Sequence, residues 1–120
     1  MAYNAANSNT IEAYTSGLPP IKSLSAVSAT GAGTALDGLC VRANAVATVT
    51  TSAGTSAGSV VLEGSLDGTD FVTLGSAVTT SAASTTYSVT ATNSLMRYLR
   101  LRVATAITGG TVSGWVGLSG

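Results

Sequence analysis

The sequence predicts an all-β fold, an antiparallel β-sandwich preceded by an extended N-terminal arm. Three observations predict it. Short runs of alternating apolar and polar residues recur from residue 22 onward, and clusters of Gly, Ser, Asn and Asp separate them. No window carries a sustained 3.6-residue period, so no helix is needed beyond one short turn near Asn93 to Met96. Turn chemistry at Gly109-Gly110 agrees with the apolar pattern of the runs on either side. At 120 residues the chain is one domain in two parts, an arm over 1–21 and a sandwich over 22–120.

The arm carries Asn4, Asn7, Asn9 and the pair Pro19-Pro20, without periodicity. Pro-Pro favours polyproline geometry, and Pro19 biases Leu18 away from helix. Two readings stay open: a loose terminus, or an arm that orders against a neighbouring subunit through Ile11, Tyr14, Leu18 and Ile21. The body then gives strands over 22–30 and 39–51, joined by a GAGTALDG loop. In the second of these, Val46 and Val49 fall on opposite faces, which calls for cover on both sides or a bulge near Asn44. A strand over 59–66 turns at Asp67-Gly68-Thr69-Asp70, with Gly68 supplying positive φ, and Phe71 to Leu74 returns as its hairpin partner. A polar connection over 76–84 leads to a strand over 85–91.

The last two strands form a hairpin on this reading. Gly109-Gly110 at a two-residue turn sets Ile107 opposite Val112, Val103 opposite Val116 and Leu101 opposite Leu118, all on one face. The other face then collects Tyr98, Arg100, Arg102 and Trp115, with Trp115 within cation–π reach of Arg102. That face is read in three ways: a polar outer surface with Trp115 partly covered by arginine stems, an interaction patch, or a stacking platform for sugar.

Composition limits the chemistry. Ser, Thr, Ala and Gly supply more than half of the residues, and only 8% are charged. Five basic and five acidic side chains balance, so there is no electrostatic footprint for nucleic acid or an anionic membrane. No apolar run reaches the length of a membrane span. The segment MAYNAANSNTIEAY lacks the basic and apolar regions of a signal peptide. Histidine is absent, so the many serines have no evident base to activate them. Cys40 is the single cysteine and reads as a small core residue. The run at 67–70 loosely resembles a calcium loop but is short of ligands, and a turn held by Asx-type hydrogen bonds accounts for it better. The expectation is a protein that is not an enzyme and uses no cofactor or metal.

Two family resemblances rest on EGSLDGTDFVTLGS and MRYLRLRVATAITGGTVSGWVGL, roughly residues 58–118. The Ser65-x-Asp67-Gly68 turn leading to Phe71, and the later Arg97-Tyr98-x-Arg100 strand, resemble the discoidin-like, galactose-binding jelly roll. The same turn and strand, with the Gly-Gly-Thr-Val segment, resemble small tailed-phage virion proteins of the capsid-decoration, or cement, type. The resemblance implies a jelly-roll-like sandwich of about seven or eight strands. It also implies a head decoration protein on the capsid surface, made in the host cytoplasm. Its partners would be the major capsid protein or copies of itself, in a homo-oligomer such as a trimer. The arm (Ile11, Tyr14, Leu18) and the face with Tyr98, Arg100, Arg102 and Trp115 would be its contacts. The alternatives are a carbohydrate-binding or adhesion module and a tail or baseplate accessory protein.

Overall fold

Two antiparallel sheets stack face to face in the structure, a computed structural model that describes residues 19–39, 43–92 and 95–119. Among the described residues nine strands follow one another: β1 (Ile21–Val27), β2 (Gly31–Ala32), β3 (Leu36–Asp37), β4 (Asn44–Thr51), β5 (Ala57–Ser65), β6 (Val72–Thr79), β7 (Thr86–Ala91), β8 (Tyr98–Thr108) and β9 (Val112–Ser119). One sheet has the order β1-β9-β4-β7; the other has β2-β8-β5-β6, with β3 beside β2 along the same edge of β8. Only β5 and β6 are consecutive neighbours within a sheet, and every other connection from β3 onward crosses the sandwich. This is the connectivity of a jelly roll, and the all-β expectation holds. The short pair β2 and β3 fills one strand position, which brings nine strands to eight places.

The sheets meet over a core of small and branched side chains. Leu24, Val49, Val60, Leu62, Leu99, Leu101, Val103, Val112 and Val116 are all almost completely buried. Among the described residues none of the core side chains is aromatic; Tyr87 packs at the core's margin. Such a core is thin, and glycine lets it close. A Cβ on Gly114 would lie 3.0 Å from the Thr48 carbonyl oxygen and collide with the Leu101 side chain, so Leu101 of one sheet seats against the bare backbone of β9 in the other. Ser23 ties the sheets at a second point. Its buried hydroxyl donates to the Thr34 carbonyl (2.8 Å) and accepts from the Leu101 amide (2.9 Å). Both are backbone groups that a hydrophobic residue would leave unpaired, at about 1–3 kcal/mol each.

Several expected elements are corrected. The first strand begins at Ile21, which packs against the core margin and so belongs to the sandwich, not to the arm. The GAGTALDG loop contains β2 and β3, two-residue strands too short to show a period. The polar connection at 76–84 is strand as far as Thr79. Gly75, at φ +70°, lies in the register shift between the Val60↔Val78 and Leu62↔Leu74 pairs and turns Val78 back into the core. β4 pairs without interruption from Asn44, so no bulge shifts it there; Val46 is half-buried on the outer face. The segment of that predicted strand around Cys40 lies outside the described residues, as do Ile11, Tyr14 and Leu18.

The largest correction concerns the last two strands. β8 pairs with β5, and β9 pairs with β4 and β1. Gly109-Gly110 is therefore a corner between sheets and not a hairpin turn. Gly109 (φ +83°) nests against Gly54 (φ +90°) of the β4–β5 turn, where a Cβ on Gly54 would meet the Gly109 oxygen at 2.7 Å. The Thr111 amide donates to the Ser52 hydroxyl (2.8 Å) and fixes the corner. Of the residues assigned to the inner face, Leu101, Val103, Ile107, Val112 and Val116 are buried and Leu118 is half-buried at the core margin, but they oppose one another across the core.

Candidate interaction surfaces

The re-pairing of β8 and β9 divides the predicted patch. Tyr98, Arg100 and Arg102 stand on the outer face of the β2-β8-β5-β6 sheet, and Trp115 stands on the outer face of the other sheet. Arg102 and Trp115 are not neighbours, and the expected cation–π contact between them does not form. Only a β8–β9 hairpin, which the chain does not make, would bring the two together.

Strand alternation builds the arginine face. Leu99, Leu101 and Val103 turn inward, so Tyr98, Arg100 and Arg102 must turn out. β5 lies alongside with Ser65 opposite Tyr98, Glu63 opposite Arg100 and Val61 opposite Arg102. Glu63 is thus on the outer side, yet only 5% of it is exposed because both arginine stems cover it. Its two carboxylate oxygens are divided between them: Arg100 Nε donates to Oε1 at 2.9 Å and Arg102 Nε to Oε2 at 2.8 Å. Arg100 also stacks on Phe71, with its guanidinium carbon 3.6 Å from the ring centroid. One carboxylate therefore positions two guanidinium groups, and an aromatic ring flattens one of them. The two side chains remain 25% and 37% exposed.

The same face continues to its end through Tyr98. Its ring underlies Gly68 of the β5–β6 turn, and Arg97 lies 5.2 Å over it. Arg97 makes a two-point contact with Asp37 (3.1 and 3.2 Å), and that guanidinium is the chief cause holding the Asp37 carboxyl below its ordinary value. The turn itself is locked by Asp67. Its Oδ1 accepts from the Thr69 and Asp70 amides, both at 2.9 Å, and from the Ser65 hydroxyl at 2.8 Å. The Asp70 and Thr69 amides, with Ser65, lower the Asp67 pKa from 3.8 to about 2. The Asx-bonded hairpin expected from the sequence is present, and that oxygen serves the turn.

Trp115 belongs to a different landscape. A row runs across the whole outer sheet, Lys22–Trp115–Thr48–Ser88, one residue from each of β1, β9, β4 and β7. Trp115 is 47% exposed. Beside it Pro20, Val46 and Gly117 line a shallow hollow of about 220 Å³. A third exposed region lies at the end of the sandwich, where Leu66 and Val72 flank the Asp-Gly turn and share a hollow with Met96. Among the described residues no group of three or more acidic or cysteine side chains is placed to hold a metal ion.

The arginines, Trp115, Glu63 and Phe71 are each visible in the sequence, but the contacts of Glu63 and Phe71 with the arginines and the exposed Leu66–Val72 end are not. A lone charge in an otherwise apolar strand was the available signal for Glu63. Its partners lie on a strand more than thirty residues away, so only the β5–β8 pairing brings them together.

No family model matches the chain, and no curated protein matches its sequence. The fold has a counterpart. The chain is similar to the crystal structure of the SPBc2 prophage-derived protein YomS, with a TM-score of 0.58 and 12% sequence identity. The likeness covers 84% of this chain and 92% of that one. At that identity it is a likeness of fold.

Proposed function

We propose that the protein is a non-enzymatic structural component of a phage particle, a head decoration or cement protein that binds the outside of the capsid. The likeness in fold to a prophage-derived protein over most of both chains carries this reading. The arrangement of the surface supports it. Interaction-type side chains stand on opposite outer faces, arginine and aromatic on one and Trp115 on the other, which suits a small domain that bridges two neighbours. A near-neutral surface with few charges also suits a subunit held in an assembly. Stabilisation would follow by mass action, because each bound copy favours only the assembled shell. Interfaces of roughly 1,000 Å² repeated over a lattice would suffice.

The test is co-sedimentation with capsids of the phage that carries the gene. Deleting residues 1–20 is expected to abolish capsid binding while the circular dichroism of the sandwich stays unchanged. Undiminished occupancy would remove the arm from the reading, and density for the chain on the tail of a virion map would replace head decoration with a tail or baseplate role.

A second reading, a carbohydrate-binding or adhesion module, draws on Trp115 over its Lys22–Thr48–Ser88 row. Tyr98 cannot share that platform, since it faces the other way. A glycan array with the wild type and Trp115→Ala separates the readings; binding to no glycan would retire this one.

A further inference from the structure

We infer that the arginine face is a receptor for the N-terminal segment of a second copy, with Glu12 of one chain closing on Arg100 and Arg102 of the next. The inference deepens the proposed function, on whose assignment of the arm and this face as contacts it rests. Each arginine gives Glu63 only its Nε, and the Nη groups of both make no hydrogen bond to any described residue. The buried carboxylate fixes the stems, and Phe71 fixes the plane of Arg100, so two guanidinium edges are held in place at a partly exposed surface. Two arginines against one carboxylate leave an unbalanced positive charge. A rigid, outward-facing guanidinium pair fits a further carboxylate, bound by charge-assisted hydrogen bonds.

The chain offers few candidates for that carboxylate. Asp37 is paired with Arg97, Glu63 is enclosed, and Asp67 is bound by its own turn. Glu12 and Asp70 are left. Glu12 is the one charged side chain between residues 1 and 21, and it sits between Ile11 and Tyr14, apolar groups that would lie along the exposed stems and the Phe71 and Tyr98 rings. The segment and the face are thus complementary in charge and in character.

Reach favours a second copy over the same copy. The chain enters the sandwich at Pro20, which lies against Gly117 on the outer side of the β1-β9-β4-β7 sheet. The arginines are on the opposite side. A path round the edge crosses a strand spacing at each side, the gap between sheets and two layers of side chains, roughly 30 Å in all. Eight residues from Glu12 to Pro20 span at most about 28 Å when fully extended, and a chain bent round an edge spans less. The segment therefore reaches a neighbour's face more readily than its own. Such contacts close as a reciprocal two-fold pair or a ring, or run on as a lattice.

The full-length chain tests this by sedimentation velocity over a concentration series at low and high salt, with no capsid present. The wild type is expected to self-associate, less so at high salt. Glu12→Arg should weaken association about tenfold or more, as should the paired change Arg100→Glu with Arg102→Glu. Mixing Glu12→Arg chains with the doubly substituted chains should restore association through the reversed charges. If the paired change unfolds the sandwich, Arg102→Gln alone serves with Glu12→Arg. A wild type that stays monomeric throughout, a Glu12→Arg chain that associates like the wild type, or an Asp70→Arg chain that dissociates in its place would each overturn the inference. A monomer that still binds capsids would do so while leaving the proposed function standing.

Discussion

Glu63 shows how one side chain organises a surface. It is nearly buried, between two arginines that are partly exposed, so its pairs fall between a solvated ion pair and an enclosed one. Glu63→Gln keeps the shape and one acceptor oxygen but removes the charge that both Nε groups share. The expected loss is about 1–2 kcal/mol, above the usual surface pair and below the cost of orphaning a fully buried charge. Urea unfolding of the two proteins checks it; an unchanged midpoint would mean the arginines find equal support elsewhere. Asp67 gives a pH-dependent counterpart. Its pKa is lowered in the folded chain from 3.8 to about 2, first by the Asp70 and Thr69 amides. A lowered carboxyl contributes stability above its ordinary value and loses that contribution as pH falls through the folded one. The turn is therefore expected to loosen between about pH 4 and pH 2. The Thr69 and Asp70 amide resonances should titrate together with a midpoint near 2, and a midpoint near 4 would show that the Asx bonds do not form in solution.

At the scale of elements, the two terminal strands separate what a sequence can reveal from what it cannot. Alternation along a strand assigns faces from the chain alone, and it placed Leu101, Val103, Val112 and Val116 inside correctly. It does not say which strand lies alongside. Two strands with matching inner faces satisfy the same pattern whether they pair edge to edge or oppose each other across a core, and Gly109-Gly110 permits either path. The local β5–β6 hairpin was legible because Asp67, Gly68 and Ser65 carry the turn chemistry themselves. Glu63 with its arginines was not, because that cluster depends on a pairing between distant strands. Nuclear Overhauser contacts decide the topology directly. Backbone contacts are expected between Leu62 and Leu101, and between Thr48 and Trp115, both in register across their ladders. Backbone contacts between Val103 and Val116 would restore the hairpin and rejoin Trp115 to the arginine face.

For the whole molecule, the separation of those faces changes what the surface can do. A single patch of Tyr98, Arg100, Arg102 and Trp115 would bind one partner, and its members would act as a unit. Two patches on opposite sides of a sandwich, with a core about 10 Å thick and side chains beyond it, can touch two partners at once. The distinction is measurable by additivity. Substitutions in contact with a common partner group couple by about 0.5–3 kcal/mol, whereas those more than about 7–10 Å apart with no shared neighbour add. In capsid-binding measurements, Arg102→Ala and Trp115→Ala should each weaken binding, and the double variant should lose the sum of the two to within about 0.5 kcal/mol. A double variant no weaker than the worse single one would mean that both residues serve one contact, and the bridging role would fail. Avidity sharpens the expectation. A domain held on two sides rebinds at one while the other is still engaged, so loss of either face should raise the dissociation rate far more than it lowers the association rate.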